Sequence, residues 1–212
     1  MFYVEDNFSF FHIPKCGGST FTDLILSKYG EKFREPSSQM WMGNDHVHRP
    51  IKWWMDNLVI DPNLPIYSMC RNPYTRMASW FTFIKFHPEL QDRRKNNPQA
   101  IEFVEQLSFE QMLLNDFPSD NPIEKVKNYN HRSSMIHFFQ DFDIEKVNFL
   151  KLEDRDTINK RFSIDMDSDI KRKSPTDLDF IKNIYTDTCI DIVRTNYSDD
   201  FEYFGYSKDF QL

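Results

Sequence analysis

The chain of 212 residues has no long hydrophobic run, no excess of positive charge and few cysteines. Its apolar runs are only a few residues long, whereas about 20 apolar residues are needed to span a bilayer. Glu5 and Asp6 stand where a signal peptide would carry positive charge. Three widely spaced cysteines predict reduced thiols. We therefore expect a cytoplasmic protein with no membrane partner.

The charge balance argues against a nucleic-acid partner. The chain has 33 Asp and Glu against 26 Lys and Arg, which gives a net charge of -7. Proteins that coat DNA or RNA usually carry a basic face and have a high isoelectric point. A local anion-binding pocket is still compatible with this balance, because net charge averages over the whole surface. The length predicts a single domain over residues 1–212.

Glycine is scarce as well, and two of the five glycines are adjacent, at Gly17 and Gly18. They stand between a short apolar run and a segment with helical spacing. Glycines let backbone N–H groups approach a ligand closely, and the start of a helix attracts anions. Lys15 adds a full charge, and Ser19 and Thr20 add hydroxyls. These residues predict a site for a tetrahedral oxyanion, although not a Walker A loop, because the lysine precedes the glycines.

Strand and helix patterns alternate along the chain. Buried strands are predicted over residues 8–13 and 65–70, and a third strand over residues 147–152. Alternation of this kind predicts an α/β fold with a mostly parallel central sheet, covered by helices on both faces. Ligands of such sheets bind beyond the carboxyl ends of the strands, where loops 14–20 and 70–76 would lie.

Two further segments are expected to be mainly helical. Residues 86–132 are polar and rich in Asn, Gln and Pro, and we expect an insertion or lid with one helix around residues 99–114. The final helix is predicted to begin at Ser174 as N-cap, with Asp177 as its capping-box partner, and to continue past Val193.

A second anion site is predicted after the second strand. Arg71 follows that strand, Asn72 can cap a helix, and Pro73 suits its first position. Arg76 and Ser79 are three residues apart and share a helical face. A guanidinium fork suits phosphate, so this segment predicts a second phosphate clamp. A solvated helix face with incidental arginines is the alternative.

Together the two segments resemble one family. Residues 11–20, FHIPKCGGST, resemble the 5'-phosphosulfate loop of sulfotransferases, and residues 71–79, RNPYTRMAS, resemble their 3'-phosphate motif. Residues 197–206, YSDDFEYFGY, are similar to the closing motif of the carbohydrate (heparan sulfate/uronyl) 2-O-sulfotransferase-like branch. Residues 86–132 have no counterpart in the resemblance, and Cys16 stands where the family usually has threonine.

The resemblance implies a three-layer, P-loop-like fold and a defined reaction. A sulfuryl group would move from 3'-phosphoadenosine 5'-phosphosulfate (PAPS) to a hydroxyl of a carbohydrate or small metabolite, without a metal. Lys15 would stabilise the leaving phosphate. Lys173, in the basic cluster of residues 171–173, would close over the 3'-phosphate. The alternative for this cluster is a solvated run of charges. The implied donor-binding residues are Lys15, Cys16, Gly17, Gly18, Ser19, Thr20, Arg71, Arg76, Ser79 and Lys173.

The acceptor hydroxyl must lose a proton, so the reaction needs a general base. In the resembling branch a His-Val pair after the first helix supplies it. His46 with Val47 matches that pair best, so His46 is the first candidate and His48 the second. The alternative is a surface loop with solvated histidines, and zinc is not expected because no third ligand has a clear spacing. His12, in the first predicted strand, is expected to be a core histidine.

Two other functions stay open from the sequence. Cys70 and Arg76 fit the C-x5-R pattern of cysteine phosphatases. Met69, however, stands where those loops carry histidine, and Pro73 removes one N–H from the cradle. The other alternative is a nucleotide-binding module that binds 3',5'-bisphosphoadenosine and has no catalytic activity.

Overall fold

The computed structural model describes most of the chain, in two compact units. The first unit comprises Met1–Arg71 and Ser133–Ile170, and the second comprises Asn72–Arg132 and Lys171–Leu212. Within these units the described residues are 1–35, 50–57, 63–87, 91–92, 95–114, 132–168 and 178–211. The single domain over residues 1–212, with 86–132 as an insertion or lid, stays a prediction.

Helices occupy much of the described chain. In chain order they are α1 (Gly18–Tyr29), α2 (Ile51–Asn57), α3 (Pro73–Phe86), α4 (Pro98–Gln106), α5 (Phe109–Leu114), α6 (Arg155–Phe162), α7 (Leu178–Ile184), α8 (Asp187–Asn196) and α9 (Ser198–Tyr203). Short 3-10 helices lie at Gly30–Lys32, Ile136–Phe139 and Ile144–Lys146. In the part of the chain that the structure describes, no helix is long and apolar enough to cross a membrane.

The first unit is built on a five-stranded sheet in the order β3-β1-β2-β4-β5. Its strands are β1 (Phe2–Val4), β2 (Phe8–Phe11), β3 (Phe33–Arg34), β4 (Ile66–Cys70) and β5 (Val147–Lys151). The three strands expected from the sequence are confirmed as β2, β4 and β5, and they are parallel neighbours. The other side of the sheet is antiparallel, because β1 runs opposite to both β2 and β3. The α/β class is therefore confirmed, but the mostly parallel sheet is wrong, because two of the four strand pairings are antiparallel.

Aromatic side chains cover both faces of this sheet. On one face the ring of Phe10 lies 4.5 Å from that of Phe21 in α1, and Phe21 lies 4.9 Å from Phe162 in α6. On the other face Phe11 packs against Phe139 of a 3-10 helix, with ring centroids 5.3 Å apart. A strand buried on both faces favours apolar side chains, which explains why three of the four residues of β2 are phenylalanine; the fourth, Ser9, is buried as well.

In the second unit α3 begins as the sequence predicts. The Asn72 side chain accepts a hydrogen bond from the Tyr74 N–H at 2.9 Å, and Pro73 is the first helical residue. One face of this helix is apolar and buried, since its members are at most 5% exposed: Met77, Trp80, Phe81 and Ile84.

The single helix expected around residues 99–114 is wrong, because two helices stand there. α4 ends before Leu107, and Ser108 begins a new helix with a capping box. The Ser108 hydroxyl accepts from the Gln111 N–H, and the Gln111 side chain accepts from the Ser108 N–H. This reciprocal pair satisfies two backbone donors at once, which favours a fresh helix start over continuation.

The single final helix is wrong for a similar reason. α7 ends at Ile184, and Thr186 has an extended backbone with φ −92° and ψ 166°. The Thr186 hydroxyl accepts from the Cys189 N–H at 3.2 Å and so caps α8. The predicted cap residues Ser174 and Asp177 lie outside the described residues.

Candidate active site

The loop between β2 and α1 makes a tight turn at two left-handed residues. Lys15 has φ 67° and Gly17 has φ 80°. A left-handed conformation is ordinary for glycine but costs a residue with a side chain roughly 1–2 kcal/mol. The Phe21 N–H donates to the Gly17 carbonyl, so the N–H groups just before Phe21 precede the hydrogen-bond ladder of α1. The turn thus joins a lysine directly to the anion-attracting end of a 12-residue helix.

The two glycines of the loop are required by close contacts. A Cβ atom at Gly17 would lie 2.6 Å from Leu152 Cδ1, and one at Gly18 would lie 2.4 Å from His12 Cδ2. Both distances are shorter than carbon atoms in contact allow, so the His12 ring or the end of the Leu152 side chain would have to move; at Gly17 the φ of 80° disfavours a side chain as well. His12, half-buried on the strand side of the loop, packs against Gly18 as a structural residue would.

We expect Gly17→Ala to destabilise the protein more than Gly30→Ala does. Both glycines have positive φ, but a Cβ at Gly30 would meet nothing within 4 Å, whereas one at Gly17 would overlap Leu152. Displacing the end of the Leu152 side chain from its rotamer should add about 0.5–1.5 kcal/mol to the loss of unfolding free energy. Urea denaturation of the two variants measures the difference. Equal losses would show that the contact with Leu152 does not constrain the turn.

Cys16 points into the core. It has no exposed surface, and its Sγ lies 3.7 Å from the Pro14 carbonyl oxygen and 3.6 Å from Met135 Sδ. Its N–H donates to the Ile13 carbonyl at 3.4 Å. The sequence predicts Cys16 as a donor-binding residue, but its side chain has no surface to offer a ligand. The side chain at position 16 therefore contributes to the packing beneath the loop.

Two positive side chains meet at the Lys15 turn. Arg71, directly after β4, donates from Nη1 to the Lys15 carbonyl oxygen at 3.2 Å. Burial lowers the pKa of Lys15 to about 7, the charge of Arg71 acts in the same direction, and Cys16 opposes both. Enclosing a lysine beside an arginine costs free energy, and a bound anion would relieve that cost. A lysine with a shifted pKa, in a loop that offers backbone N–H donors, is typical of a functional site.

Arg76 is enclosed in the second unit. It has no exposed surface, and Ser79 is only 8% exposed. Burial raises the pKa of Tyr197 to about 12; Arg76 opposes that rise, Asp200 adds to it and Arg132 opposes it. Arg76 thus lies in a buried polar cluster with Tyr197 and Asp200 of the closing motif. The sequence predicts Arg76 as a phosphate ligand, but the described conformation gives its guanidinium no exposed surface.

Asp200 is a residue whose importance the sequence reasoning missed. It is fully buried, and a buried carboxylate needs a charged or hydrogen-bonding partner. Tyr197, in the same segment, donates its hydroxyl proton to the Arg132 carbonyl oxygen at 2.8 Å. The signal in the sequence is the Y-x-x-D pattern of residues 197–200, which lies in the closing motif but has no role assigned by the resemblance.

Several expected site residues lie outside the described residues: His46, His48 and Lys173. Their roles therefore stay predictions. Among the residues that are described, no group of His, Cys, Asp and Glu side chains could hold a metal ion.

The geometry does not favour the cysteine phosphatase alternative. Cys70 is 1% exposed, and its thiol donates to the Leu150 carbonyl oxygen at 3.6 Å within the sheet. A nucleophilic thiolate has to be accessible to the phosphorus that it attacks. The arginine of the same pattern, Arg76, is buried as well.

Comparison with known proteins agrees with the loop chemistry. A family model described as "Sulfotransferase family" matches residues 2–207. The chain belongs to the sulfotransferase family. No curated protein and no solved structure matches it. Membership of this family supports sulfuryl transfer as the class of activity and is consistent with a sheet flanked by helices.

Proposed function

We propose that this sulfotransferase moves a sulfuryl group from PAPS to a hydroxyl of a carbohydrate or small metabolite, as enzymes of the 2-O-sulfotransferase-like branch do. The observation that carries the proposal is the Lys15 turn. One short loop holds a lysine with a pKa of about 7, two glycines in close contact with neighbouring side chains and the first amides of α1. Such a loop suits a tetrahedral anion, and the family match extends over it.

The proposed reaction is an in-line transfer. The acceptor oxygen forms a bond to sulfur while the bond between sulfur and the 5'-phosphate oxygen breaks. The acceptor proton passes to a general base, for which His46 is the first candidate and His48 the second. The products are the sulfated acceptor and 3',5'-bisphosphoadenosine.

Lys15 stabilises the charge that grows on the leaving phosphate. Its ammonium and the amides of Gly17 and Gly18 act as fixed donors, which are most effective where water is excluded. A bound anion favours the charged form of Lys15. Donor binding should therefore raise the pKa of Lys15, which burial lowers. Ser19 and Thr20 complete the proposed loop with their hydroxyls.

The segment 71–79 recognises the 3'-phosphate in this proposal. Arg71 supplies a guanidinium after β4, and Ser79 supplies a hydroxyl on α3. We assign Arg76 a structural role in the packing of α3, because it is buried and its charge lowers the pKa of Tyr197. Lys173 remains a further proposed ligand of the 3'-phosphate.

We expect the protein to bind 3',5'-bisphosphoadenosine at least about tenfold more tightly than 5'-AMP. A hydrogen bond to a charged group contributes about 1.5–3 kcal/mol, and 1.4 kcal/mol corresponds to a factor of ten. Ser79→Ala should reduce this ratio, whereas Ser207→Ala, at an exposed residue outside the motif, should leave it intact. Calorimetric titration measures both affinities. Equal affinity of the wild-type protein for the two nucleotides would refute the assignment of the motif.

A further inference from the structure

Lys15 and Arg71, one from each proposed donor motif, follow the carboxyl ends of β2 and β4 in the first unit. The strands are parallel neighbours, and Phe11 at the end of β2 is in register with Ser68 of β4. Lys15 follows β2 by four residues, and Arg71 follows β4 directly. The register of the sheet thus brings Arg71 within reach of the Lys15 turn, as the 3.2 Å hydrogen bond to the Lys15 carbonyl oxygen shows.

The Lys15 backbone adopts a conformation that a lysine alone would avoid. Its φ of 67° lies in the left-handed region, where a side chain is strained. Conformations of this kind persist when the surroundings hold them. The hydrogen bond from the Arg71 guanidinium restrains the carbonyl of that same residue, and its donor is charged, which makes it stronger than a neutral one.

From this contact we infer that Arg71 is a positioning residue for the 5'-phosphosulfate loop, since it holds the Lys15 carbonyl and with it the turn that precedes α1. The inference rests on the proposed function, because it concerns how the same donor is bound. A guanidinium has five N–H donors. Arg71 can therefore keep its bond to the Lys15 carbonyl and still offer other donors to a 3'-phosphate.

The consequence can be measured with a ligand that has no 3'-phosphate. If Arg71 only recognised that group, its loss would leave 5'-AMP binding unchanged. If it also positions the loop, Arg71→Ala lowers the affinity for 5'-AMP by about tenfold, the size expected for one hydrogen bond to a charged group. Ser79→Ala removes another proposed 3'-phosphate ligand. It should lower only the affinity for 3',5'-bisphosphoadenosine.

Calorimetry of 5'-AMP and 3',5'-bisphosphoadenosine with the wild-type protein, Arg71→Ala and Ser79→Ala tests the inference. The titrations are run in low salt and in about 0.5 M salt, where the long-range effect of a lost charge is screened. The expected result is a loss of 5'-AMP affinity in Arg71→Ala that persists in high salt. Thermal melting verifies folding, and Arg71→Met, which keeps the bulk of the side chain, replaces Arg71→Ala if the latter does not fold.

The outcomes separate the inference from the proposed function. Normal 5'-AMP binding by the Arg71 variant, with weakened 3',5'-bisphosphoadenosine binding, would overturn the positioning role and leave the proposed function standing. A loss of 5'-AMP affinity that vanishes in high salt would overturn it too, because charge alone would explain the loss. A wild-type protein that binds both nucleotides equally would instead overturn the proposed role of residues 71–79 in recognising the 3'-phosphate.

Discussion

Lys15→Ala should lower the rate of sulfuryl transfer by about 10²–10³-fold, the usual effect of removing one donor from a site of developing charge. Binding of 3',5'-bisphosphoadenosine should fall much less, because negative charge on the leaving phosphate is greatest in the transition state. Single-turnover transfer from sulfur-labelled PAPS gives the rate, and calorimetry gives the affinity.

Lys32→Ala is the matched control for this substitution. Lys32 is exposed and lies in the first unit, so its substitution removes a lysine without altering the loop. The control should transfer sulfuryl at nearly the wild-type rate. An unchanged rate in Lys15→Ala would contradict the assigned role, and so would a loss of binding as large as the loss of rate, since that would indicate ground-state binding alone.

His46→Ala should reduce turnover by about 10²–10⁴-fold, the range that a positioned general base contributes. Donor binding should persist, because the base acts on the acceptor hydroxyl. His48→Ala should have the smaller effect, since His46 with Val47 matches the family pair better. Steady-state kinetics over a range of pH should also show that His46→Ala loses the acidic limb of the kcat/KM profile.

His137→Ala provides the comparison for a histidine elsewhere in the chain, half-buried in a 3-10 helix. It should keep the wild-type pH profile. A larger effect of His48→Ala would move the base to His48. Small effects of both substitutions would place the base outside residues 46–48 and would leave the donor assignments untouched.

The strands next to the site could be predicted because their patterns are strong. β2 and β4 are short runs rich in apolar side chains, as expected for strands with covered faces, and β5 carries the shorter apolar pattern of Val147, Phe149 and Leu150. β1 and β3 have three and two residues, too few to show any periodicity. The break at Leu107 escaped prediction because helical spacing continues across it, and the Ser108 capping box decides the outcome locally.

The residue types of the loop could likewise be predicted, but its geometry could not. Lysine, paired glycines and a following helix indicate an anion site from sequence alone. The left-handed Lys15 and its bond to Arg71 depend on the register between two strands that are far apart in the chain. The burial of Arg76 depends on packing within the second unit, and spacing along α3 carries no information about that packing.

Transfer of labelled sulfur from PAPS is the measurement that tests the central claim most directly. The wild-type protein is incubated with the labelled donor and a cell extract as the source of acceptors, and labelled products are identified by mass. We predict a labelled product, formed together with 3',5'-bisphosphoadenosine and lost in Lys15→Ala. Tight binding of 3',5'-bisphosphoadenosine without transfer to any acceptor would contradict the claim and would indicate a nucleotide-binding module without catalysis.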